Sequence, residues 1–278
     1  MEYKPILRNV KAVFVLIFLS LYPIIVWSDT DDFTLLKTFE DITGFVAPDP
    51  LGNIFFISNG SLYKHHPLEG ETLSYSRSGF GPVTHVDVSD PLNILVFFAD
   101  FGNIVLLDKN LTQKQVIEGR SLLKDDLPQS VSHSSHSGFW AYFPNVYKIA
   151  RFTNQGKPEL VSQDLSREYS GLANVLRLTE HRERLFLYAN GIWVFDLFAN
   201  LLFTIYDIQT PDFQLVKNKI FYLKDNKLHA WDFFLEQENV FLLPESDVHT
   251  FYIPDNHHIF LQTDDALKKY RFTRQFFN

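Results

Sequence analysis

Two histidines three residues apart are the side chains best suited to chemistry in this sequence. His133 and His136 lie in the run SHSSHS, residues 132–137. Imidazole nitrogens are frequent metal ligands, but this spacing supplies no third ligand. The alternative is that the polar run opens a repeated unit, as a polar loop in its first strand near a central channel. We favour that alternative and predict no metal site.

Two other histidine pairs, His65-His66 and His257-His258, are adjacent in the chain. Neighbouring side chains of a strand point to opposite faces, so such a pair does not readily chelate one ion. We interpret both pairs as turn or strand-edge residues.

The acidic and charged groups also lack the spacing of a binding site. The acidic groups are Asp125-Asp126, Asp264-Asp265 and the cluster Asp29, Asp31 and Asp32. None has the pattern of a calcium loop, so we predict solvated turn residues. The run EHRER, residues 180–184, is likewise predicted to be a solvated charged turn. Two carboxylates from different repeats could hydrolyse a glycoside, but one sequence identifies no such pair.

Common catalytic and phosphate-binding motifs are missing. No serine stands in a G-x-S-x-G context, and the chain has 0 Cys. The glycine-rich run Gly79–Pro82 has no following Lys-Ser/Thr and no helix, which argues against phosphate binding. The formal charge of -8 and the lack of a basic cluster argue against nucleic acid as a partner. We predict no catalytic, cofactor-binding or metal-binding residue, and leave an enzymatic role open as the less favoured reading.

The polar and charged residues discussed above lie within a repeated pattern of short strands. Val86–Lys109 reads as three strands separated by turns, and Val46–Lys64 does nearly the same. In particular, Asp49–Ile54 (DPLGNI) aligns with Asp90–Ile94 (DPLNI) after one deletion. Asn59-Gly60 is a strong signal for a hairpin turn. A self-similar unit of about 40 residues built from short antiparallel strands is typical of a β-propeller blade.

Six such units are predicted between Phe33 and Asn278, and the fold class is therefore all-β. The sixth unit lacks a good fourth strand, which the lone strand Phe33–Glu40 is predicted to supply, closing the ring of four-stranded antiparallel blades. Five or seven blades stay open, because connections 120–129 and 164–173 could hide a strand or short helix. The middle strands begin near Ile54, Ile94, Phe139, Leu185, Ile220 and Ile259, at intervals of 35 to 46 residues.

Aromatic residues recur at matching positions of the middle strands, and the chain holds 28 Phe and 12 Tyr. The matching positions are Phe55, Phe97, Trp140, Phe186, Phe221 and Phe260. This regularity predicts packing between units rather than ligand stacking. Phe198, Phe233 and Phe234 instead follow a third strand near turns, and would form a partner surface if they are exposed.

The first 28 residues are predicted to be a secretory signal peptide, followed by a propeller domain over residues 29–278. Basic residues precede the apolar run Ala12–Trp27, which ends just before a suitable cleavage point. An uncleaved anchor is the alternative, although the run is shorter than the ~20 residues of a membrane span and contains Pro23. The lack of cysteine favours bacterial export over an extracellular animal domain.

With its Asp-Pro-x-Gly-Asn turn, Asn-Gly hairpins and aromatic-aliphatic strands, the chain from Phe33 to Asn278 resembles bacterial exported β-propellers of the broad NHL/YVTN-like, six-bladed class. It also resembles uncharacterised exported propeller proteins of Bacteroidetes-type bacteria, in which segments like VDVSDPLNILVFF occur. It lacks the regular Gly-His and Trp-Asp marks of WD40 repeats, for which Trp231-Asp232 is a single match.

The resemblance implies a fold and not an activity, because propellers serve as enzymes, sensors and scaffolds. We expect a non-catalytic protein-binding or scaffolding module without a cofactor, in the periplasm or on the periplasmic side of the outer membrane. It would act as a monomer or within a hetero-complex, with another envelope protein as partner. The alternative is a propeller enzyme or ligand sensor for a carbohydrate, lactone or peptide at the central channel.

Overall fold

The computed structural model of the chain describes residues 26–27, 33–40, 42–124 and 126–272, and this part is almost entirely β-structure. The strands of the first half are β1 (Val26–Trp27), β2 (Phe33–Phe39), β3 (Phe45–Pro48), β4 (Ile54–Ser58), β5 (Ser61–His65), β6 (Thr72–Tyr75), β7 (His85–Asp87), β8 (Ile94–Phe98), β9 (Asn103–Leu107), β10 (Gln113–Ile117), β11 (Ser130–His133) and β12 (Phe139–Phe143). The second half contains β13 (Lys148–Phe152), β14 (Pro158–Val161), β15 (Arg177–His181), β16 (Arg184–Tyr188), β17 (Ile192–Asp196), β18 (Leu201–Ile205), β19 (Phe213–Val216), β20 (Lys219–Lys224), β21 (Lys227–Asp232), β22 (Gln237–Leu242), β23 (Thr250–Tyr252), β24 (His258–Gln262) and β25 (Leu267–Phe272).

Short 3₁₀ turns fill the two long connections between blades. They span Gly119–Ser121, Leu165–Arg167 and Ser170–Ala173. In the described residues of these connections we therefore find single helical turns and no additional blade strand, which removes the main reason for considering five or seven blades.

The strands form six sheets, and within each blade the neighbouring strands pair in antiparallel fashion. Blades 1 to 5 are β3–β6, β7–β10, β11–β14, β15–β18 and β19–β22, and blade 6 combines β23–β25 with β2. The predicted six-bladed ring of four-stranded blades is confirmed. The first strand of each blade lies nearest the ring axis.

The N-terminal strand closes the ring as predicted. β2 pairs antiparallel with β25 along its whole length, from Phe33 opposite Phe272 to Phe39 opposite Leu267. The ring of Phe33 also packs on that of Phe272 at a centroid distance of 4.9 Å. Blade 6 is thus assembled from segments at both ends of the described chain, and neither β2 nor β25 has to form a sheet alone.

Each interface between neighbouring blades contains its own apolar core, and six such clusters follow one another around the ring. The repeated aromatic residue of each blade lies in the cluster shared with the next blade. Phe55 is in the cluster between blades 1 and 2, for example, and Trp140 in that between blades 3 and 4. The predicted packing role of these aromatic residues is confirmed, with all six less than 4% exposed.

Strand alternation gives the ring two different faces. Because successive strands run in opposite directions, turns between first and second strands and between third and fourth strands lie on one side, here called the turn face. Connections between blades and turns between second and third strands lie on the other side, the connector face. The aligned Asp-Pro turns are on the turn face, where the Asp49 carboxylate accepts the Asn53 N–H at 2.9 Å and the Asp90 carboxylate accepts the Leu92 N–H at 2.9 Å.

A second kind of turn, capped by an aspartate, recurs on the turn face and was not predicted from the sequence. Asp108, Asp196 and Asp232 each end or follow a third strand, and each carboxylate accepts two backbone N–H groups of the turn after it. Trp231-Asp232 therefore belongs to this turn repeat. The same turns place a residue in the left-handed region, including Ala199 with φ 63° and Glu236 with φ 52°.

The segment predicted to be a signal peptide lies outside the described residues except for Val26–Trp27. This strand, β1, pairs in parallel with the outer edge of blade 5, with Val26 opposite Val240. In the ranges that the structure describes, we find no helix with the length and apolar character of a membrane span.

Candidate functional site

Among the described residues, a central channel forms a cavity in the middle of the ring. It has a volume of about 820 Å³ and is lined by residues from the first strands of all six blades. Its wall is a mixture of apolar and polar side chains. The polar ones that bear on function are His85, Asp87, Arg177, Asp212 and Tyr252.

Asp87 is an ionised carboxylate held by backbone donors. One oxygen accepts the Ser89 N–H at 3.0 Å and the other accepts the His133 N–H at 2.9 Å, which links blade 2 to blade 3. Desolvation by burial raises the pKa of Asp87. The nearby His133, hydrogen bonding from the Ser89 side chain and from the His133 backbone, and His85 together outweigh burial, so the pKa of Asp87 lies below its ordinary value.

Arg177 is the channel's guanidinium, at the start of β15 in blade 4. It donates one hydrogen bond to the Pro211 carbonyl at 3.0 Å, and its guanidinium carbon lies 4.7 Å from the centre of the Phe213 ring. Burial lowers its pKa, whereas Asp212 and then Asp87 oppose that effect. An arginine remains charged at neutral pH even so.

His85 brings a neutral imidazole to the same wall. Burial lowers its pKa; Asp87 acts in the opposite direction, and Arg177 and His133 reinforce the lowering. Within the described ranges, its ring nitrogens make no hydrogen bond. A neutral imidazole can both donate and accept a hydrogen bond.

The structure separates the two histidines of the SHSSHS run. His133 ends the first strand of blade 3 and is buried, and its Nε2 has no hydrogen-bond partner in the described chain. His136 lies in the following turn, is exposed and contacts the Ser135 hydroxyl at 3.1 Å. The polar run therefore covers the end of the first strand of blade 3, where Ser132 lines the channel, and the turn that follows it. Among the described residues, no group of three or more His, Asp or Glu side chains is arranged to hold a metal ion.

The adjacent histidine pairs lie where they were predicted, at strand ends and turns. His65 ends β5, and its Nδ1 is 3.0 Å from the Thr72 hydroxyl. His258 begins β24, and its Nδ1 is 2.8 Å from the Asp255 carboxylate.

Asp126 corrects the prediction of a solvated turn. It is only 6% exposed. Its carboxylate accepts N–H groups of Leu127 at 2.7 Å, Asn145 at 2.7 Å and Val146 at 3.1 Å, and also the Asn145 side-chain amide at 2.8 Å. It is thus a structural cap for the turn between β12 and β13. Asp264 and Asp265 are exposed as predicted, and Asp125 and the aspartates of residues 29–32 lie outside the described residues.

Glu180 is a second correction. This half-buried carboxylate accepts the Trp140 indole N–H at 2.6 Å and the Ser135 backbone N–H at 3.3 Å. Its partners belong to blade 3 and Glu180 to blade 4, so the side chain joins two blades. The rest of the charged run matches the prediction better, since Arg182 and Glu183 are exposed at the turn.

Large exposed apolar side chains concentrate on the turn face. Those in its turns are Leu51, Leu68, Leu92, Phe198, Phe234 and Leu235. The connector face carries Phe101, Leu176 and Tyr206. Phe198 is 75% exposed and Phe234 57%, which meets the condition we set for a partner surface. Phe233 differs, because it is partly buried against Phe186 in the core between blades 4 and 5.

The six radial sheets with a central channel define the protein as a six-bladed β-propeller. Neither a family model nor a curated protein matches the sequence.

Solved structures resemble the chain in fold. A catalytically inactive histidine-to-alanine variant of virginiamycin B lyase from Staphylococcus aureus, solved with quinupristin, aligns with TM-score 0.58 and 13% identity over 86% of this chain and 99% of that chain. The WD40 domain of Neurospora crassa Pan2 aligns with TM-score 0.56 and 11% identity over 84% and 76%. The extracellular domain of BT4673, a one-component system of B. thetaiotaomicron, aligns with TM-score 0.56 and 13% identity over 83% of this chain and 33% of that chain. At such identities the likeness concerns the fold alone.

Proposed function

We propose that this propeller is a non-catalytic binding module that presents its turn face to another protein of the bacterial cell envelope. The observation that carries the proposal is the accumulation of large exposed apolar side chains in the turns of one face. Contiguous exposed apolar surface marks interaction sites in soluble proteins. The partner is accordingly a protein with an apolar surface of its own.

The exposed turn-face residues fall into two groups on opposite sides of the ring. Leu51, Leu68 and Leu92 belong to blades 1 and 2, whereas Phe198, Phe234 and Leu235 belong to blades 4 and 5. The second group contains the aromatic residues, which are enriched among residues that dominate binding energy. We therefore assign the main contact to blades 4 and 5.

This aromatic group is supported from below. Phe233 and Phe234 pack against each other with centroids 4.9 Å apart, and the Arg184 guanidinium carbon lies 5.0 Å from the Phe234 ring centre. Phe233 is in turn anchored in the core between blades 4 and 5. Because the exposed Phe234 ring rests on the partly buried Phe233 ring, Phe234 has less conformational freedom to lose when a partner binds.

The location in the envelope is supported by the N-terminal sequence, in which basic residues precede an apolar run of 16 residues and a cleavage point. The lack of cysteine is compatible with bacterial export. We propose residence in the periplasm or on the periplasmic side of the outer membrane. Fractionation of the native bacterium and N-terminal sequencing of the mature protein test this placement.

Site-specific photo-crosslinking in the native bacterium tests the surface. A crosslinking residue is placed at Phe198 or Phe234, and control residues are placed at Phe101 and Tyr206 on the connector face, which are also exposed. We expect a discrete adduct with one envelope protein from the turn-face positions and none from the controls. Adducts of equal yield from both faces, or none from any position, would refute the proposal.

A binding measurement with the crosslinked partner then tests the energetics. Replacing Phe198 and Phe234 by Ser should weaken binding by about tenfold or more, since each buried aromatic contact at an interface contributes about 1–2 kcal/mol. The matched replacement of Phe101 and Tyr206 should leave affinity within about twofold of the native protein. Equal losses in the two double variants would show that the turn face is not the contact.

A further inference from the structure

The central channel contains a pair of opposite charges that do not meet. Asp87 is on the first strand of blade 2, Arg177 is on the first strand of blade 4, and both line the cavity. Blade 3 lies between them in the ring. None of the ion pairs within 4.0 Å in the described chain involves Arg177. The two charges therefore act on each other across a space that another molecule can occupy.

Both groups keep hydrogen-bonding capacity that the described chain does not use. A guanidinium has five N–H donors, and Arg177 makes one hydrogen bond, to the Pro211 carbonyl. A carboxylate has about four lone-pair sites; Asp87 accepts two backbone N–H groups and is also approached by the Ser89 side chain, so it retains acceptor capacity for a ligand. His85 and the Tyr252 hydroxyl, which line the same cavity, also make no side-chain hydrogen bond among the described residues.

The balance of charge limits what the cavity can take. Its described lining contains one guanidinium, Arg177, and two carboxylates, Asp87 and Asp212. A purely anionic ligand would meet two carboxylates of its own sign, and a purely cationic ligand would meet the guanidinium. Like charges at short range in such an environment repel strongly. A ligand with one charge of each sign can instead match both ends.

We propose that the channel binds a small dipolar ligand with a carboxylate and an ammonium group, which is the chemistry of a free amino acid or short peptide. Arg177 binds the ligand carboxylate through its planar fork of donors. Asp87 accepts the ligand ammonium. The volume of about 820 Å³ lies within the range of ~300–1,000 Å³ that is usual for small-molecule sites. This site is independent of the turn face.

Isothermal titration calorimetry of the purified protein with three probes tests the proposal. The probes are glycyl-phenylalanine, its N-acetylated form without the ammonium, and its C-amidated form without the carboxylate. We expect saturable binding of the free dipeptide and about tenfold or more weaker binding of each capped form. Equal affinity for the three forms, or no saturation by the free dipeptide at about 10 mM, would overturn the proposal.

Two variants assign the ends of the ligand. In Arg177→Met, amidation of the dipeptide should have no further effect while acetylation still weakens binding, and Asp87→Asn should show the converse. Asp265→Asn, at an exposed carboxylate outside the channel lining, is the matched control and should bind as the native protein does. Circular dichroism melts confirm that each variant is folded. If Arg177→Met does not fold, the acetylation arm of Asp87→Asn decides alone, and an unchanged response to acetylation there contradicts the assignment.

Discussion

Removing the buried carboxylate at position 126 should strongly destabilise the fold. In the native protein it accepts four N–H groups, three from backbone and one from the Asn145 side chain. Hydrogen bonds to a charged group contribute about 1.5–3 kcal/mol each. Asp126→Ala leaves four donors without an acceptor, but the site borders a cavity of about 330 Å³ that also admits water. Allowing for that rehydration, we expect a loss of about 3–5 kcal/mol in the free energy of unfolding.

Urea unfolding followed by circular dichroism measures the effect, and thermal melts give a second estimate. For a domain of this size, a loss of about 3–5 kcal/mol corresponds to a fall in Tm of roughly 6–15 °C. Asp126→Asn should show an intermediate loss, because its amide keeps one acceptor oxygen and turns a donor toward the same N–H groups. Asp265→Ala, at an exposed turn carboxylate, is the matched control and should change stability by less than about 0.5 kcal/mol. A loss in Asp126→Ala no larger than in this control would show that the four hydrogen bonds do not hold the turn.

Three further predictions concern the turns, the closure and acid stability. Glu236→Gly should stabilise the protein by up to about 1 kcal/mol in urea unfolding, because Glu236 is exposed with φ 52°, which glycine adopts without strain. The control Gln237→Gly, within β22, should destabilise it. Deleting residues 33–39 should lower Tm and cause aggregation, detected by light scattering, because the edge of β25 is then uncovered. A deletion variant that stays monomeric would count against a closing role for β2. Burial raises the pKa of Glu245, but bonds from Lys268 and a tyrosine hydroxyl lower it more, so its net pKa is depressed. The depressed pKa means that ionised Glu245 stabilises the fold above the unfolded pKa of about 4.3, and that this stabilisation is lost as the pH falls through the folded pKa. Glu245→Gln should therefore reduce the dependence of the unfolding free energy on pH between about pH 5 and pH 3. An unchanged dependence in this range would contradict the prediction.

The architecture could be predicted because its signals are local and repeated. The alignment of Asp49–Ile54 with Asp90–Ile94 reflects turns in which the leading aspartate accepts the backbone N–H two residues further on, that of Leu51 or Leu92. The aromatic residues recur because each blade must fill the interface with its neighbour. The closing strand could be predicted because the sixth unit has only three strands of its own and needs a fourth from elsewhere in the chain.

The site could not be predicted in the same way, because it depends on contacts between blades. Asp87 and Arg177 are ordinary polar residues in their own strands, and only the ring brings them to one cavity. Asp126 looked like a solvated turn residue because its partners, around Asn145, lie in a different turn. One signal was available: His85 and Asp87 alternate with apolar neighbours in a first strand, which places both on the same side of it.

The pairing of β2 with β25 imposes an order of events on folding. Phe39 meets Leu267, so the earliest strand of the ring must wait, unpartnered, until the last has left the ribosome. Contacts between such distant segments form slowly, because a long intervening loop must first be closed. A chain whose synthesis stops before residue 267 therefore leaves β2 unpaired and blade 6 incomplete. Synthesis of β25 and closure of the ring are thereby coupled, which leaves a defined interval in which the polypeptide is still open.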